Sequence, residues 1–103
     1  MMDLNKKQKN ALKRIAHNLS PEFRIGKNGV TDNVKKAIAD YIKVHEIVKI
    51  KLLEIPEDET TKTIANSITE ILRGNLISIV GGSFVIFKRN PQKPVINFKE
   101  FQE

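Results

Sequence analysis

Four consecutive residues, Gly26-Lys27-Asn28-Gly29, carry the clearest chemistry in this sequence. Two glycines three apart let a backbone come close to a ligand with no Cβ in the way. A helical pattern follows the segment, so helix-start amides and the positive end of a dipole are expected to point into it. Lys27 adds a full positive charge, and Asn28 tolerates the left-handed conformation and can hydrogen-bond. That combination suits a phosphodiester backbone. Other chemistry is thin. The two histidines, His17 and His45, fall on a polar helix face and at a helix-to-strand junction, where a surface or capping role is commoner than a general base. There is no cysteine, which excludes disulfides, thiolate zinc sites and thiol nucleophiles. No spacing of His, Asp and Glu fits a metal, and Glu57-Asp58-Glu59 after Pro56 reads as a solvated turn. The glycine segment is too short for a nucleotide-hydrolase phosphate loop, and Val30 follows it where Lys-Ser/Thr would be required. We therefore expect no catalytic residue, no metal and no cofactor, and an enzyme is the least supported class.

The charge pattern points the same way. The 103 residues carry 18 Lys and Arg against 12 Asp and Glu, a net charge of +6. The excess is uneven: residues 1–27 are net +5 and residues 54–75 net −3. Such asymmetry implies a polyanionic partner met from one side, although solubility alone is the plainer reading. Arg24, Lys27, Lys35 and Lys36 surround the glycine loop in sequence, Lys6, Lys13 and Arg14 lie on or beside the polar face of the first helix, and Lys49 and Lys51 alternate along a strand. Lysine dominates and aromatic residues are few, which favours backbone and shape recognition over base stacking. A glycine-bounded four-residue loop that clamps nucleic-acid backbone is known from KH domains.

The elements that position these residues follow from periodicity. Leu4, Ala11, Leu12, Ile15, Ala16 and Leu19 recur at helical spacing after an Asn5 N-cap, and Ser20-Pro21 stops the helix. Glu22 to Ile25 alternates as a short strand. Thr31 caps a second helix with Val34, Ala37, Ile38, Tyr41 and Ile42 on its apolar face. Ile47 to Leu52 reads as a strand buried on one face only, with Lys49 and Lys51 outward. A third helix starts near Thr60 or Thr61 and is expected to bury Ile64, Ile68, Ile71 and Leu72, with Gly74 as a left-handed cap. Leu76–Val80 and Phe84–Phe87 form a hairpin around Gly81-Gly82-Ser83, apolar on both faces and so expected to lie centrally, with the first helix or the tail as a second cover. Phe98 and Phe101 are candidates to pin the tail. The order α-β-α-β-α-β-β implies an α/β protein of two-layer α+β type, with a four-stranded mixed sheet in which the first two strands are parallel neighbours. No apolar run approaches the roughly 18 residues of a membrane span, and no signal peptide is evident, so a soluble cytoplasmic protein without a membrane partner is expected.

Four blocks in register carry a family resemblance: Lys7-Gln8-Lys9, Ala16-His17-Asn18-Leu19-Ser20-Pro21, Ile25-Gly26-Lys27-Asn28-Gly29-Val30-Thr31 and His45-Glu46-Ile47-Val48-Lys49-Ile50-Lys51. Together they resemble the CRM domain, the chloroplast RNA splicing and ribosome maturation family, which in bacteria exists as a small stand-alone protein. The resemblance covers about residues 3–89; Val30 and Ile47-Val48 are conservative departures, and residues 90–103 form a tail of unknown role. It implies a fold similar to the C-terminal domain of translation initiation factor three, with sheet order 1-2-4-3. It implies RNA binding through Gly26, Lys27, Asn28 and Gly29, with ribosomal RNA in precursors of the large subunit as the partner of a bacterial protein; a monomer is expected separately. The rivals are a DNA-binding module, which would be expected to dimerise on duplex DNA, and a protein-interaction domain docking a basic partner on the acidic 54–59 segment.

Overall fold

The computed structural model describes residues 3–98. Its elements run α1 (Lys6–Asn18), β1 (Phe23–Ile25), α2 (Asp32–His45), β2 (Ile47–Leu52), α3 (Thr61–Leu72), β3 (Asn75–Val80) and β4 (Ser83–Phe87). The sheet order is β1-β2-β4-β3. β1 pairs parallel to β2, and β4 pairs antiparallel to both β2 and β3. The α/β class, the element order and the mixed sheet are those read from the sequence. Helix starts are fixed locally. Asn5 and Gln8 form a reciprocal capping box at α1, and the Thr31 hydroxyl accepts from the Val34 amide at α2.

Alternation along the strands sorts the side chains onto two faces. On one, Ile25, Val48, Ile50, Leu52, Phe84 and Ile86 meet Ile38 and Ile42 of α2 and Ile64, Ile68 and Leu72 of α3. Each fully buried aliphatic side chain of this kind contributes about 1.5–3 kcal/mol. On the other, Leu12 and Ala16 of α1 cover Ile47, Ile77, Val85 and Phe87, with Ile96 and Phe98 of the tail at the margin. The second cover is thus supplied by both the first helix and the tail. It reaches only one end of the sheet.

Several expectations change. β2 is not one-faced: Ile47 is buried beneath the second cover, and only Lys49 and Lys51 keep that face polar. β4 lies centrally but β3 is an edge strand, and Val80 at its end is 76% exposed. Ala37 and Ile71 sit at the borders of their apolar stripes and are exposed, Ile71 at 52%. The left-handed residue after α3 is Arg73, not Gly74. Gly74 answers a different need, since a Cβ there would lie 2.9 Å from both Ile86 Cγ2 and the Phe87 carbonyl oxygen.

Glu46 ends α2 in the left-handed conformation, at φ 66°, and its side chain is fully buried. Its carboxylate accepts from the amides of Val95, Ile96 and Asn90 at 2.6, 2.8 and 2.7 Å and from Arg89 Nη1 at 3.3 Å. Phe98 then packs edge-on to Phe87 at 5.8 Å, with the Arg89 guanidinium 5.1 Å from its ring centre. Phe98 pins the tail as expected; Phe101 lies outside the described residues.

Candidate nucleic-acid interface

Ile25 is the last residue of β1, and Gly26–Gly29 folds at once into a tight turn in which the Gly29 amide donates to the Gly26 carbonyl at 2.9 Å. Gly29 has φ +67°, the conformation that favours glycine. Gly26 has no positive φ, and nothing lies within 4 Å of where its Cβ would be. Lys27 and Asn28 are exposed at the tip, and their amides donate to no acceptor among the described residues. The turn does not open α2 directly. Val30 and the Thr31 cap intervene, and the Thr31 hydroxyl already takes the Val34 amide at 3.2 Å. The helix dipole therefore acts on the turn from two residues away, and the exposed amides at the tip are those of the turn itself.

Parallel pairing brings a second loop alongside. Ile25 is in register with Leu52, and the Leu53 amide donates to the Ile25 carbonyl at 2.8 Å, so the glycine turn and the segment after β2 leave the sheet side by side. Between them, roofed by α2 and α3, lies a cleft of about 450 Å³. Lys27 and Lys35 stand on one lip, Glu54 and Glu59 on the other, and Val30, Leu52, Ile55, Ile68 and Ile71 line it. In open α/β sheets the crevice beyond the carboxyl ends of parallel strands is the usual ligand site. Lys35 also pairs with exposed Asp32 at 3.9 Å, a surface contact that leaves it available to a ligand.

The basic residues expected to act together fall into two groups. Gly26, Lys27, Asn28, Gly29 and Lys35 gather at the turn and cleft, with exposed Lys36 next along α2. Arg24 and Lys51 are register partners on β1 and β2, and they project from the opposite face of the sheet, as does half-buried Lys49. There the cover of α1 stops short. Lys49 lines a groove with Lys13 and His17 of α1 and with Ser78 and Ser83. Lys6 lies two turns before Lys13 on the same helix stripe, and Arg14 is exposed beside it. Arg24 stands on the edge strand β1, which leads directly into the glycine turn. His45 stacks on Tyr41, ring centres 4.1 Å apart. Among the described residues no group of three His, Asp or Glu side chains is placed to hold a metal, and no helix is long and apolar enough to cross a membrane.

Sequence reasoning missed the cleft and its acidic lip. The acidic 54–59 segment looked like an isolated turn because its neighbour in space, the glycine loop, is nearly thirty residues away in sequence. The usable signal was the parallel register itself, which sets Ile25 beside Leu52.

The chain matches the sequence model of the "CRS1 / YhbY (CRM) domain" over residues 4–88. It is 32% identical over 93 residues to "Probable RNA-binding protein YqeI" of Bacillus subtilis (strain 168), spanning 90% of this chain and 96% of that one. It is 30% identical over 95 residues to an "RNA-binding protein" of Haemophilus influenzae, spanning 92% and 95%. Its fold is similar to the solution structure of the hypothetical protein SAV1595 from Staphylococcus aureus, with a TM-score of 0.70 and 34% identity over 85% of this chain and 91% of that one.

Proposed function

The chain belongs to the CRS1/YhbY (CRM) domain family, and from that premise we propose that it is a monomeric, cytoplasmic RNA-binding protein that contacts ribosomal RNA in precursors of the large subunit. The contact is made by the Gly26–Gly29 turn, with Lys27, Lys35, Lys36 and the Arg24, Lys49, Lys51 and α1 lysine surface supplying attraction. Its curated relatives carry the names of binding proteins, and binding rather than turnover is the activity.

One observation carries the reading. Gly26 is a glycine that the fold itself does not need, having neither a left-handed backbone nor a crowded Cβ position. A ligand backbone brought against the exposed Lys27 and Asn28 amides accounts for it. Those amides, together with Lys27, offer charge-assisted hydrogen bonds to a phosphate.

The test is Gly26→Val beside wild type, with thermal melting and binding to a large-subunit RNA fragment measured together. We expect an unchanged melt and about tenfold weaker binding, the loss of one amide–phosphate bond worth roughly 1.5 kcal/mol. Unchanged binding would make the loop a turn and nothing more. Sedimentation of the native protein through a sucrose gradient tests the ribosomal part: co-migration with large-subunit precursors, abolished by nuclease, is expected, and migration as a free small protein at low salt would overturn it.

A further inference from the structure

The cleft beside the glycine turn has two properties that phosphate binding does not explain. Ile55 and Ile71 line its walls while 43% and 52% exposed, so that about half of each apolar side chain is left facing the opening. Glu54 and Glu59 line the same cleft as Lys27 and Lys35, and carboxylates lining a phosphate site oppose the backbone it would hold. Both features fit the other half of a nucleotide. A nucleobase has two apolar faces for aliphatic walls and a rim of hydrogen-bonding groups for the carboxylates.

We propose that this cleft holds one unpaired nucleobase of the strand whose phosphate lies on the Gly26–Gly29 turn, and that Glu54 and Glu59 select a base with amino and imino donors, guanine first, over uracil. The inference rests on the RNA-binding reading above and adds a base preference to it. A carboxylate only accepts, so it suits an edge rich in N–H groups. Guanine presents two adjacent donors on its Watson–Crick edge, matching the two oxygens of one carboxylate. Cytosine and adenine each present one amino group. Uracil presents a single imino N–H between two carbonyl oxygens, which the carboxylates repel. The lips divide the work: Lys27 and Lys35 face the phosphate, Glu54 and Glu59 face the base, and the isoleucines between them exclude water.

The probes are a short oligouridylate and the same strand with one central guanine, compared by fluorescence anisotropy at fixed salt. Wild type is expected to bind the guanine strand about tenfold more tightly. The double variant E54Q/E59Q is expected to close that gap while binding the uridine strand more strongly, since an amide can also donate. Ile55→Ala with Ile71→Ala is expected to weaken the guanine strand about tenfold; both side chains are about half covered, so the melt is recorded beside it and binding is read well below its onset. Equal affinity of wild type for the two strands, or a gap that survives in E54Q/E59Q, would overturn the base preference. If Gly26→Val still weakens both strands in that case, RNA binding through the turn stands and only the cleft assignment fails; if wild type binds neither strand nor the RNA fragment, the underlying reading fails too. Binding of an arginine-rich peptide, lost in E54Q/E59Q while the guanine strand is held as before, would give the cleft to a protein segment and overturn the proposal.

Discussion

Gly26 and Gly29 bound one turn and answer different demands. Gly29 is left-handed, so Gly29→Ala is expected to lower stability by about 1 kcal/mol through backbone strain. Gly26→Ala, in open space, is expected to leave the melting temperature where it is. Calorimetry of the two variants side by side checks the pair. Glu46 is the other residue on which much depends. Burial alone pushes its carboxyl up, but the amides of Ile96, Asn90 and Val95 and the Arg89 guanidinium more than offset this and hold it below the ordinary glutamate value. Because the folded value is depressed, its stabilisation is complete above the unfolded value of about 4.3 and is lost as pH falls through the folded one. Glu46→Gln is expected to cost about 3 kcal/mol at neutral pH and to flatten the acid limb of the stability curve, read from urea melts at several pH values. The glycine turn was legible because its chemistry is contained in four adjacent residues. Glu46 was not, because each of its partners lies more than forty residues further along the chain.

At the scale of elements, caps and periods were informative where the signal is local. Asn5 and Thr31 begin their helices as their side chains dictate, and the alternation of Val48, Ile50 and Leu52 with Lys49 and Lys51 gives β2 its faces. Periodicity says that a face is apolar, not what it touches. That is why β3, apolar on both faces like β4, sits at the sheet edge, and why Ile71 at the border of its stripe faces a cleft and not the core. The tail shows the same limit. A sequence boundary near residue 89 divides Arg89 from Ile96 and Phe98, yet these pack together against Glu46, Ile47 and Phe87. Removing residues 90–103 is therefore expected to destabilise the remainder, and Phe98→Ala alone to cost about 2 kcal/mol, since its ring is partly buried. Thermal melts of both, compared with the intact chain, check this. An unchanged melt after truncation would make the tail an appendage.

For the whole molecule, a net charge of +6 accompanies two groups of basic side chains, one at the glycine turn and one on the opposite sheet face that includes Arg24 of the edge strand β1, on a body 43 × 26 × 22 Å across. If RNA wraps that edge and engages about five phosphates, log K is expected to fall against log salt with a slope of about −3.5 for single strands and −4.5 for duplex. A titration between low and moderate salt measures it, and a flat line would remove the electrostatic mechanism. The buried carboxylate also bears on how the chain is made. A polypeptide is synthesised from its first residue onward, and Glu46 emerges while Asn90, Val95 and Ile96 are still untranslated. Until they appear, a charge destined for the interior has only water for company, which keeps that end of β2 from closing over. Completion of the fold therefore waits on residues 90–96, so a chain terminated before them would lack the partners of Glu46 and the tail's part of the second cover.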